Sequence, residues 1–419
     1  MRNAYPFRSG SLSLCGLLLF LLVSGFFSYS CDKPEQESGI KPEQESGIKP
    51  EQESGIKLEI SELLGEQYVQ RAREKLLMEP QTVTMFRSER SAGGKHDFHS
   101  EGDYWWPDPE NPGGPYINRD GITNPDLFYD HRNALMRFSR IVGRMASAYL
   151  LTGDETFTDH ALRHLNAWFV DPETRMNPSL KYSQAIPGRY TGRGVGVIDS
   201  IHLMEVAQSV RIMKEASGFD PATLAAIRSW FAEYLNWLTT HQYSLDEMNA
   251  HSNHATTWVM QVASFALLTG DEDLLEFCRL RYMYVLLPMQ MDSTGAFPHE
   301  LSRTRPYSYS LFNLDAMVMV VHMLSDNSHN LWHYETPDGL SIRTGIEFLH
   351  PYVQDKNSWP HPPDVIYWED WPVAHPFLLF GAVAFDDRTW FETWTVQEHF
   401  PESREVIRNL PVRNPLIWF

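Results

Sequence analysis

A six-residue segment occurs twice in this chain and constrains its fold more than any other feature. Leu-Leu-Thr-Gly-Asp-Glu stands at 150–155 and again at 267–272. In each copy an apolar helical pattern runs into a glycine, the residue that most readily takes the left-handed conformation that ends a helix. The aspartate that follows is suited to cap the next helix. Each copy therefore predicts the turn of a helical hairpin.

Helical spacing continues through most of the chain after Leu58. Apolar residues recur at intervals of three and four, the pattern of amphipathic helices, for example at Leu203, Val206 and Val210. No alternating strand pattern exceeds a few residues, so the sequence does not indicate a separate β-domain. Repeated helical hairpins build α/α toroids and solenoids. We therefore predict an all-α fold, an α/α toroid forming an incomplete barrel, over residues 58–419.

Four long segments rich in proline, glycine and aromatic residues separate these helical patterns. They cover residues 97–126, 171–199, 291–312 and 355–376. Long loops in a compact helical body usually carry function. A toroid would place such loops around the mouth of its cavity, so we expect the functional site there.

The N-terminus has the composition of an export signal. Arg2 and Arg8 are followed by an apolar run at 12–27, and small residues lead to Cys31, as in a bacterial lipoprotein signal. We predict a signal peptide at 1–31 with Cys31 lipidated and membrane contact through that anchor alone. Ordinary signal cleavage and a retained membrane anchor are the alternatives. The predicted location is the periplasm, or the outer membrane or cell surface as a lipoprotein.

A repeated octamer follows this signal. Lys-Pro-Glu-Gln-Glu-Ser-Gly-Ile occurs three times in residues 32–57. The unit is too short for a solenoid and too polar to bury a core. We predict a flexible tether between the lipid anchor and the folded body.

The charge and aromatic content limit the partners. A formal net charge of −19 argues against nucleic acid, because an acidic protein repels a phosphate backbone. An acidic polysaccharide would need a local basic patch on such a chain. The aromatic share of 13% suits stacking on sugar rings, and a tryptophan-rich core would account for it as well.

Two short segments concentrate the polar residues that could carry chemistry. The first places Asn253 beside His254 at the start of a predicted helix, whose end is partly positive. The second, at 299–310, brings together a carboxylate, two guanidinium groups and two phenols. Taken singly, the Asn-His pair could be a helix cap with a satisfied histidine. Arg303 could form a helix-spaced ion pair with Glu300.

Together these residue types fit the cleavage of a uronate polymer by β-elimination. The C5 proton beside the carboxylate is weakly acidic, and the charge that develops on its removal needs Asn, His or Arg donors. A His or an ionised Tyr can take the proton, and a Tyr can protonate the departing O4. These roles require no metal or other cofactor. His251 and His254 could share a metal, but no carboxylate partner lies nearby in sequence, so we predict none.

The same residues resemble the alginate lyase family that folds as a helical α/α toroid. That family carries an Asn-His pair at a helix start, then Glu-Leu-x-Arg and a Tyr, matched here by 253–254, 300–303 and Tyr309. The similarity covers residues 97–320. It implies a polysaccharide lyase whose partner is an acidic polysaccharide, alginate or a related polyuronate.

The resemblance also implies roles for individual residues. Asn253 and Arg303 would neutralise the substrate carboxylate. His254 would be the base or a charge stabiliser. Tyr309 would be the acid and is also a candidate base, with Tyr307 as the alternative acid.

Further residues are expected to bind the polymer. An aromatic loop flanked by acids suits a sugar-stacking wall, and a second, glycine-rich loop resembles a family segment that lines the cleft and adds positive charge. We expect substrate contacts from Tyr104, Trp105, Trp106, Gln184, Arg193, His251, Glu300, Arg305 and Tyr307.

Two other functions fit parts of the sequence. A glycoside hydrolase on the same toroid would use two carboxylates, for which Asp199, Glu300, Asp315 and Glu369 are candidates that form no recognisable pair. A non-catalytic glycan-binding protein would keep the tryptophans and dispense with Tyr309. Within the lyase prediction, alginate, polyglucuronate and other uronates stay open, as do endo and exo action.

Overall fold

The computed structural model describes residues 50–419, which are mostly helical and belong to one compact unit. The all-α prediction is confirmed. The helices are α1 (Pro50–Arg73), α2 (Asp130–Thr152), α3 (Glu155–Leu165), α4 (Leu203–Met213), α5 (Pro221–Thr240), α6 (Gln242–Met248), α7 (Asn253–Thr269), α8 (Glu272–Arg281), α9 (Leu287–Gln290), α10 (Pro298–Leu301), α11 (Pro306–Leu324), α12 (Ile342–Gln354), α13 (Pro376–Phe385), α14 (Arg388–Thr395) and α15 (Arg404–Asn409).

Both predicted hairpin turns are present. Gly153 ends α2 with φ +68°, and Gly270 ends α7 with φ +77°, the left-handed conformation that glycine adopts without strain. The Asp154 and Asp271 side chains then accept hydrogen bonds from backbone N–H groups in the first turns of α3 and α8. The repeated segment thus joins α2 to α3 and α7 to α8.

Two helices form the centre of the structure. Every residue of α11 is buried, and α11 packs against α7, which in turn packs against α4, α5 and α8. Both helices are apolar nearly all round, as expected for helices enclosed by others. Their N-terminal ends are thereby fixed on rigid elements, and the predicted chemical residues lie at these ends.

Short strands hold the long loops in place. Strand β1 (His99–Glu101) pairs in parallel with β4 (Tyr182–Ala185), which ties the loop before α2 to the loop before α4. Strand β2 (Trp105–Trp106) pairs antiparallel with β3 (Ile117–Asn118).

The folded body begins earlier than the sequence indicated. The tether was predicted to end at residue 57, whereas α1 begins at Pro50. The physical reason is the spacing of Ile56, Ile60 and Leu64, which are four residues apart and all buried in the core. The predictions for residues 1–49, including the signal peptide and Cys31, lie outside the described residues. Within residues 50–419 no helix is both long and apolar enough to span a bilayer.

The C-terminal segment binds residues of the loops that precede α2 and α11. On α15, Glu405 binds the Arg305 guanidinium, and Arg408 Nη1 lies 3.0 Å from Asp103 Oδ2. The Lys57 ammonium group also donates to the Phe419 carbonyl at 2.8 Å. Residues from both ends of the described chain therefore take part in one core.

Candidate active site

The amide of Asn253 is fixed by a buried carboxylate. Asn253 is the first residue of α7, where backbone N–H groups have no partner within the helix. Glu300 on α10 supplies that partner: its two oxygens accept from the Asn253 backbone N–H at 2.7 Å and from Nδ2 at 2.9 Å. Because Nδ2 carries two hydrogens, one N–H is left for a ligand.

The imidazole of His254 is held by a second buried carboxylate. Glu247 on α6 lies 2.6 Å from His254 Nδ1 through its Oε1. The Glu247 side chain is only 1% exposed, whereas that of His254 is 21% exposed. A carboxylate can only accept, so Nδ1 carries the hydrogen. Nε2 makes no hydrogen bond to any described residue and is therefore the nitrogen that can exchange a proton.

The guanidinium of Arg303 is oriented by an acid and a ring. Asp120, in the turn after β3, accepts from Arg303 Nη2 at 2.7 Å and from Nε at 3.3 Å. The Arg303 Cζ lies 4.8 Å from the centre of the Tyr309 ring. Burial alone would raise the pKa of Asp120, but the hydrogen bond and charge of Arg303 hold it below its ordinary value. The pair is therefore ionised.

The hydroxyl of Tyr309 meets a second phenol. Tyr309 lies in the first turn of α11, and its oxygen is 2.6 Å from that of Tyr104. Burial, with Tyr104 close by, raises the pKa of Tyr309 well above 10. Burial also raises the pKa of Tyr104. Both phenols therefore keep their protons at neutral pH.

Hydrogen bonds to Glu300 bring these groups together: its carboxylate binds Asn253, the neighbour of His254, and its carbonyl accepts from the Arg303 backbone N–H at 3.1 Å. Burial raises the pKa of Glu300, while the hydrogen bonds from Asn253 and the charges of His254 and Arg303 act in the opposite direction. Glu300 thus lies near all three residues, and Arg303 covers the ring of Tyr309. The four predicted catalytic residues converge, and we call them the polar cluster: Asn253, His254, Arg303 and Tyr309.

Three predicted substrate contacts need correction. Glu300 is fully buried and uses both oxygens on Asn253, so it positions the amide. Arg305 is buried and donates to the Gly121 carbonyl and to a carboxylate on α15. Tyr307 is fully buried, with its hydroxyl donating to the Tyr352 carbonyl at 2.9 Å. None of the three turns a free polar group towards a ligand, because each is already satisfied by the fold.

A wall of aromatic and cationic groups lies beside the polar cluster. Arg193 donates to the Gln184 carbonyl at 2.9 Å and to its side-chain oxygen at 3.0 Å. The Cζ of Arg193 is 5.8 Å from the Trp105 ring centre. Gln184 has φ +46°, a strained conformation for a residue with a side chain, and its side-chain nitrogen donates to Asp199 at 3.2 Å. Contact of these residues with substrate stays a prediction.

Two other predicted contacts have different surroundings. The Trp106 indole N–H donates to the Ile122 carbonyl at 3.0 Å, which pins the tryptophan to the following turn. His251 is exposed, and its ring stacks on His299 with centroids 5.9 Å apart. Substrate binding by Trp106 and His251 also stays a prediction.

Sequence reasoning missed Glu247 and Asp120, the two carboxylates that orient His254 and Arg303. Glu247 lies seven residues before His254, on a helix of its own, and the only available signal was an acid shortly before an Asn-His pair. Asp120 is 183 residues from Arg303, so no spacing rule could pair them.

The carboxylates considered for hydrolysis do not form an acid–base pair. Asp315 is buried against His375, with 2.7 Å between Oδ2 and Nδ1. Asp199 is buried against Arg132 and Ser100. The Glu369 side chain is 88% exposed beside Lys356. Among residues 50–419 no group of three or more His, Cys, Asp or Glu side chains is placed to hold a metal ion.

Comparison with known proteins gives a consistent result. A family model described as "Alginate lyase" matches residues 82–359. The structure of an alginate lyase from Bacteroides ovatus is 29% identical, with a TM-score of 0.76, over 89% of this chain and 98% of that chain. Alginate lyase A1-III from Sphingomonas species A1 is 14% identical, with a TM-score of 0.50, over 84% and 94%.

A variant of alginate lyase A1-III complexed with a tetrasaccharide is 13% identical, with a TM-score of 0.51, over 84% of this chain and 94% of that chain. The two A1-III likenesses show the fold alone. No curated protein matches the chain in sequence. These neighbours confirm the predicted α/α toroid.

Proposed function

The chain belongs to the alginate lyase family and is a polysaccharide lyase, and on that premise we propose that it cleaves alginate by β-elimination at the polar cluster. The observation that carries this proposal is the convergence of four different groups. An amide N–H, a guanidinium, an imidazole with one free nitrogen and a protonated phenol are linked through Glu300 and through the contact of Arg303 with the Tyr309 ring. Each step of the elimination needs one of them.

Arg303 and Asn253 bind the carboxylate of the sugar at the cleavage point. Asp120 occupies the Nε–Nη2 side of the guanidinium, which leaves the Nη1–Nη2 side for a second carboxylate. The spare N–H of Asn253 adds a neutral donor. These donors stabilise the dianion that forms when the C5 proton is removed, and they are held in place before the reaction begins.

His254 takes the C5 proton. Its Nδ1–H is held by Glu247, so a neutral imidazole presents a lone pair at Nε2. When Nε2 accepts the proton, the buried carboxylate stabilises the resulting imidazolium. The C5–H bond breaks in this step, and its electron pair passes into the new C4–C5 double bond.

Tyr309 protonates the departing oxygen. The C4–O4 bond breaks as the double bond forms, and O4 leaves with the phenol proton. Burial keeps Tyr309 protonated at neutral pH, which suits an acid better than a base. The positive charges of Arg305 and Arg303 lower the pKa of Tyr309 against the effect of burial and so favour the phenolate that remains.

Alginate is the first candidate because the family and its solved relatives are described as alginate lyases. The bound tetrasaccharide reported for an A1-III variant fits an oligosaccharide-binding cleft. Polyglucuronate is the second candidate, since it carries the same carboxylate beside the same C5 proton.

The test is the appearance of ultraviolet absorbance from the C4–C5 double bond when the protein is incubated with alginate or polyglucuronate. We expect this absorbance from wild type and a loss of at least about 1,000-fold in Tyr309→Phe, which should still unfold cooperatively because it loses only one hydrogen bond. New reducing ends without absorbance would instead indicate a hydrolase. Binding without either product would indicate a glycan-binding protein.

We also propose that the protein is exported and anchored through Cys31. The basic, apolar and small-residue segments of 1–31 support this proposal. Metabolic labelling with a fatty acid should mark wild type and not Cys31→Ser. Equal labelling of both proteins would rule out this anchor.

A further inference from the structure

A group of basic side chains on α1, on α2 and in the turn after α1 forms no ion pair within residues 50–419. We call Arg71, Lys75, Arg137, Arg140 and Arg144 the basic cluster. None of the five forms an ion pair with a described residue, although the chain carries 54 acidic residues against 35 basic ones. All five are half-buried rather than extended into solvent. Unpaired charge that is partly removed from water is costly, so its retention calls for an explanation.

Helical spacing gathers these side chains on facing sides of the two helices. Arg137, Arg140 and Arg144 are three and four residues apart, which places them on one face of α2. Arg71 lies in the last turn of α1, which packs along α2, and Lys75 lies in the turn that follows α1. The cluster therefore lies where these two helices meet.

The charges act on each other. Burial, and then the charges of Arg140 and Arg71, lower the pKa of Arg144 to about 10. Burial, and then the charges of Arg144 and Arg140, lower the pKa of Lys75. This mutual repulsion agrees with the placement of the five groups where α1 packs along α2. It would be relieved by an anion bound among them.

Two contacts orient the guanidinium groups without neutralising them. Arg71 stacks on Phe400, with 4.2 Å between its Cζ and the ring centre. Arg137 donates to the Glu79 carbonyl at 3.0 Å. Arginine held in this way presents its planar donors to carboxylates in a defined direction.

We propose that the basic cluster is a second binding site for the acidic polysaccharide, outside the catalytic cleft. This proposal rests on the proposed function for the identity of the polymer. Arg132, at the start of α2, binds Asp103 beneath the aromatic loop of the cleft. Arg140 and Arg144 lie about 12 and 18 Å farther along the same helix at 1.5 Å per residue. A polymer with a carboxylate on every sugar could occupy both places at once.

A polymer fits these groups better than an anionic membrane does. Half-buried arginines can receive a single extended chain, whereas a flat bilayer surface needs cations that protrude. Leu77 is a neighbouring residue that would suit a membrane, since it is 92% exposed two residues after Lys75. The test therefore includes vesicles.

The experiment measures binding and does not depend on catalysis. The Arg140→Gln/Arg144→Gln double variant is compared with Arg175→Gln/Arg228→Gln, which removes the same charge at two exposed arginines elsewhere. Both are made in the full chain with Tyr309→Phe, so that the polymer is not degraded. Dissociation constants are measured for long alginate, an alginate tetrasaccharide, neutral dextran and vesicles of phosphatidylglycerol.

We expect the dissociation constant for long alginate to rise about fivefold or more in the cluster variant, as for the loss of one or two charge-assisted contacts. The tetrasaccharide, which fills only the cleft, should bind as before, and the control variant should match the parent. The temperature of thermal unfolding should not fall, because the substitutions remove repulsion and no hydrogen bond.

Equal binding of long alginate by the cluster variant and the control would overturn the proposal. Cluster-dependent binding to vesicles with no effect on alginate would overturn it in favour of a membrane surface. The dissociation constants can be interpreted even if the elimination assay shows no activity. The second binding site and the proposed lyase activity are therefore tested independently.

Discussion

The carboxylate of Asp120 lies along one side of the Arg303 guanidinium, with Oδ1 2.7 Å from Nη2 and Oδ2 3.3 Å from Nε. The same oxygen, Oδ2, accepts from the Thr304 hydroxyl at 3.0 Å. Arg303 is thus fixed in plane by an acid at its side and by the Tyr309 ring against its face. Asp120 either positions the Arg303 guanidinium or competes with the substrate carboxylate for it. A substitution of Asp120 distinguishes these two roles.

We expect Asp120→Asn to lower kcat/KM by about tenfold, because a loosely held guanidinium meets the substrate carboxylate in fewer productive orientations. The elimination rate followed by ultraviolet absorbance is the measurement. Asp126→Asn, which removes the same charge from an exposed residue of the same loop, should stay at the wild-type value. A rise in kcat/KM for Asp120→Asn would identify Asp120 as a competitor instead.

Glu247→Gln should reduce kcat/KM by about 100-fold or more, since an amide neither fixes the His254 tautomer nor stabilises its imidazolium. The loss should appear in kcat rather than in KM. The matched control is Asp246→Asn, the exposed neighbour on α6, for which no change is expected. If both variants kept wild-type kcat, His254 could not be the base in the way proposed.

Tyr307→Phe should destabilise the fold without affecting the chemistry. It removes the hydrogen bond to the Tyr352 carbonyl, which is worth about 1 kcal/mol in the free energy of unfolding. Denaturant unfolding and kcat/KM are measured together. Tyr309→Phe should instead lose nearly all of its kcat/KM, and a large loss of activity in Tyr307→Phe would restore Tyr307 as the acid.

Stability should fall as the solution is acidified below pH 6.5. Burial lowers the pKa of His322 to about 4, and its Nε2 lies 3.0 Å from the Trp418 carbonyl. Between pH 6.5 and 4 the His322 imidazole binds a proton in the unfolded chain but stays neutral in the folded chain. Its contribution to the free energy of unfolding is therefore fully present above pH 6.5 and is lost as the pH falls towards 4. From pH 7.5 to 5 this one group should remove about 2 kcal/mol from the free energy of unfolding.

The check for His322 is chemical denaturation at these two pH values in wild type and His322→Gln. The variant should lose less stability on acidification, whereas His333→Gln, which changes an exposed imidazole, should behave as wild type. Burial also lowers the pKa of His164 to about 4. Both variants should therefore still lose some stability on acidification. An unchanged pH dependence in His322→Gln would contradict the assignment.

Short sequence motifs correctly predicted where several helices of this protein begin and end. The glycine and aspartate of each repeated turn specify a helix end and a helix start within three residues, so Gly153 and Gly270 could be assigned from sequence alone. The Asn-His pair likewise lies at the start of α7, as its position before an apolar helix indicated.

Choosing among neighbouring residues of one type required the tertiary structure. Tyr307 and Tyr309 are two apart, so a helix turns them to different faces. Because α11 is apolar all round, nothing in its sequence shows which face meets the cleft. Arg303 and Arg305 pose the same problem. Only their partners, in the turn after β3 and on α15, distinguish the half-buried guanidinium of Arg303 from the fully buried one of Arg305.

The contacts of α15 have a consequence for the order of synthesis. Arg305 and Asp103, which support the loops of the cleft, both depend on side chains of Arg404–Asn409. A ribosome has made the whole polar cluster about a hundred residues before it reaches these partners. The nascent chain therefore holds the whole polar cluster before the partners of Arg305 and Asp103 exist, and we expect the cleft to be complete only after α15 has docked.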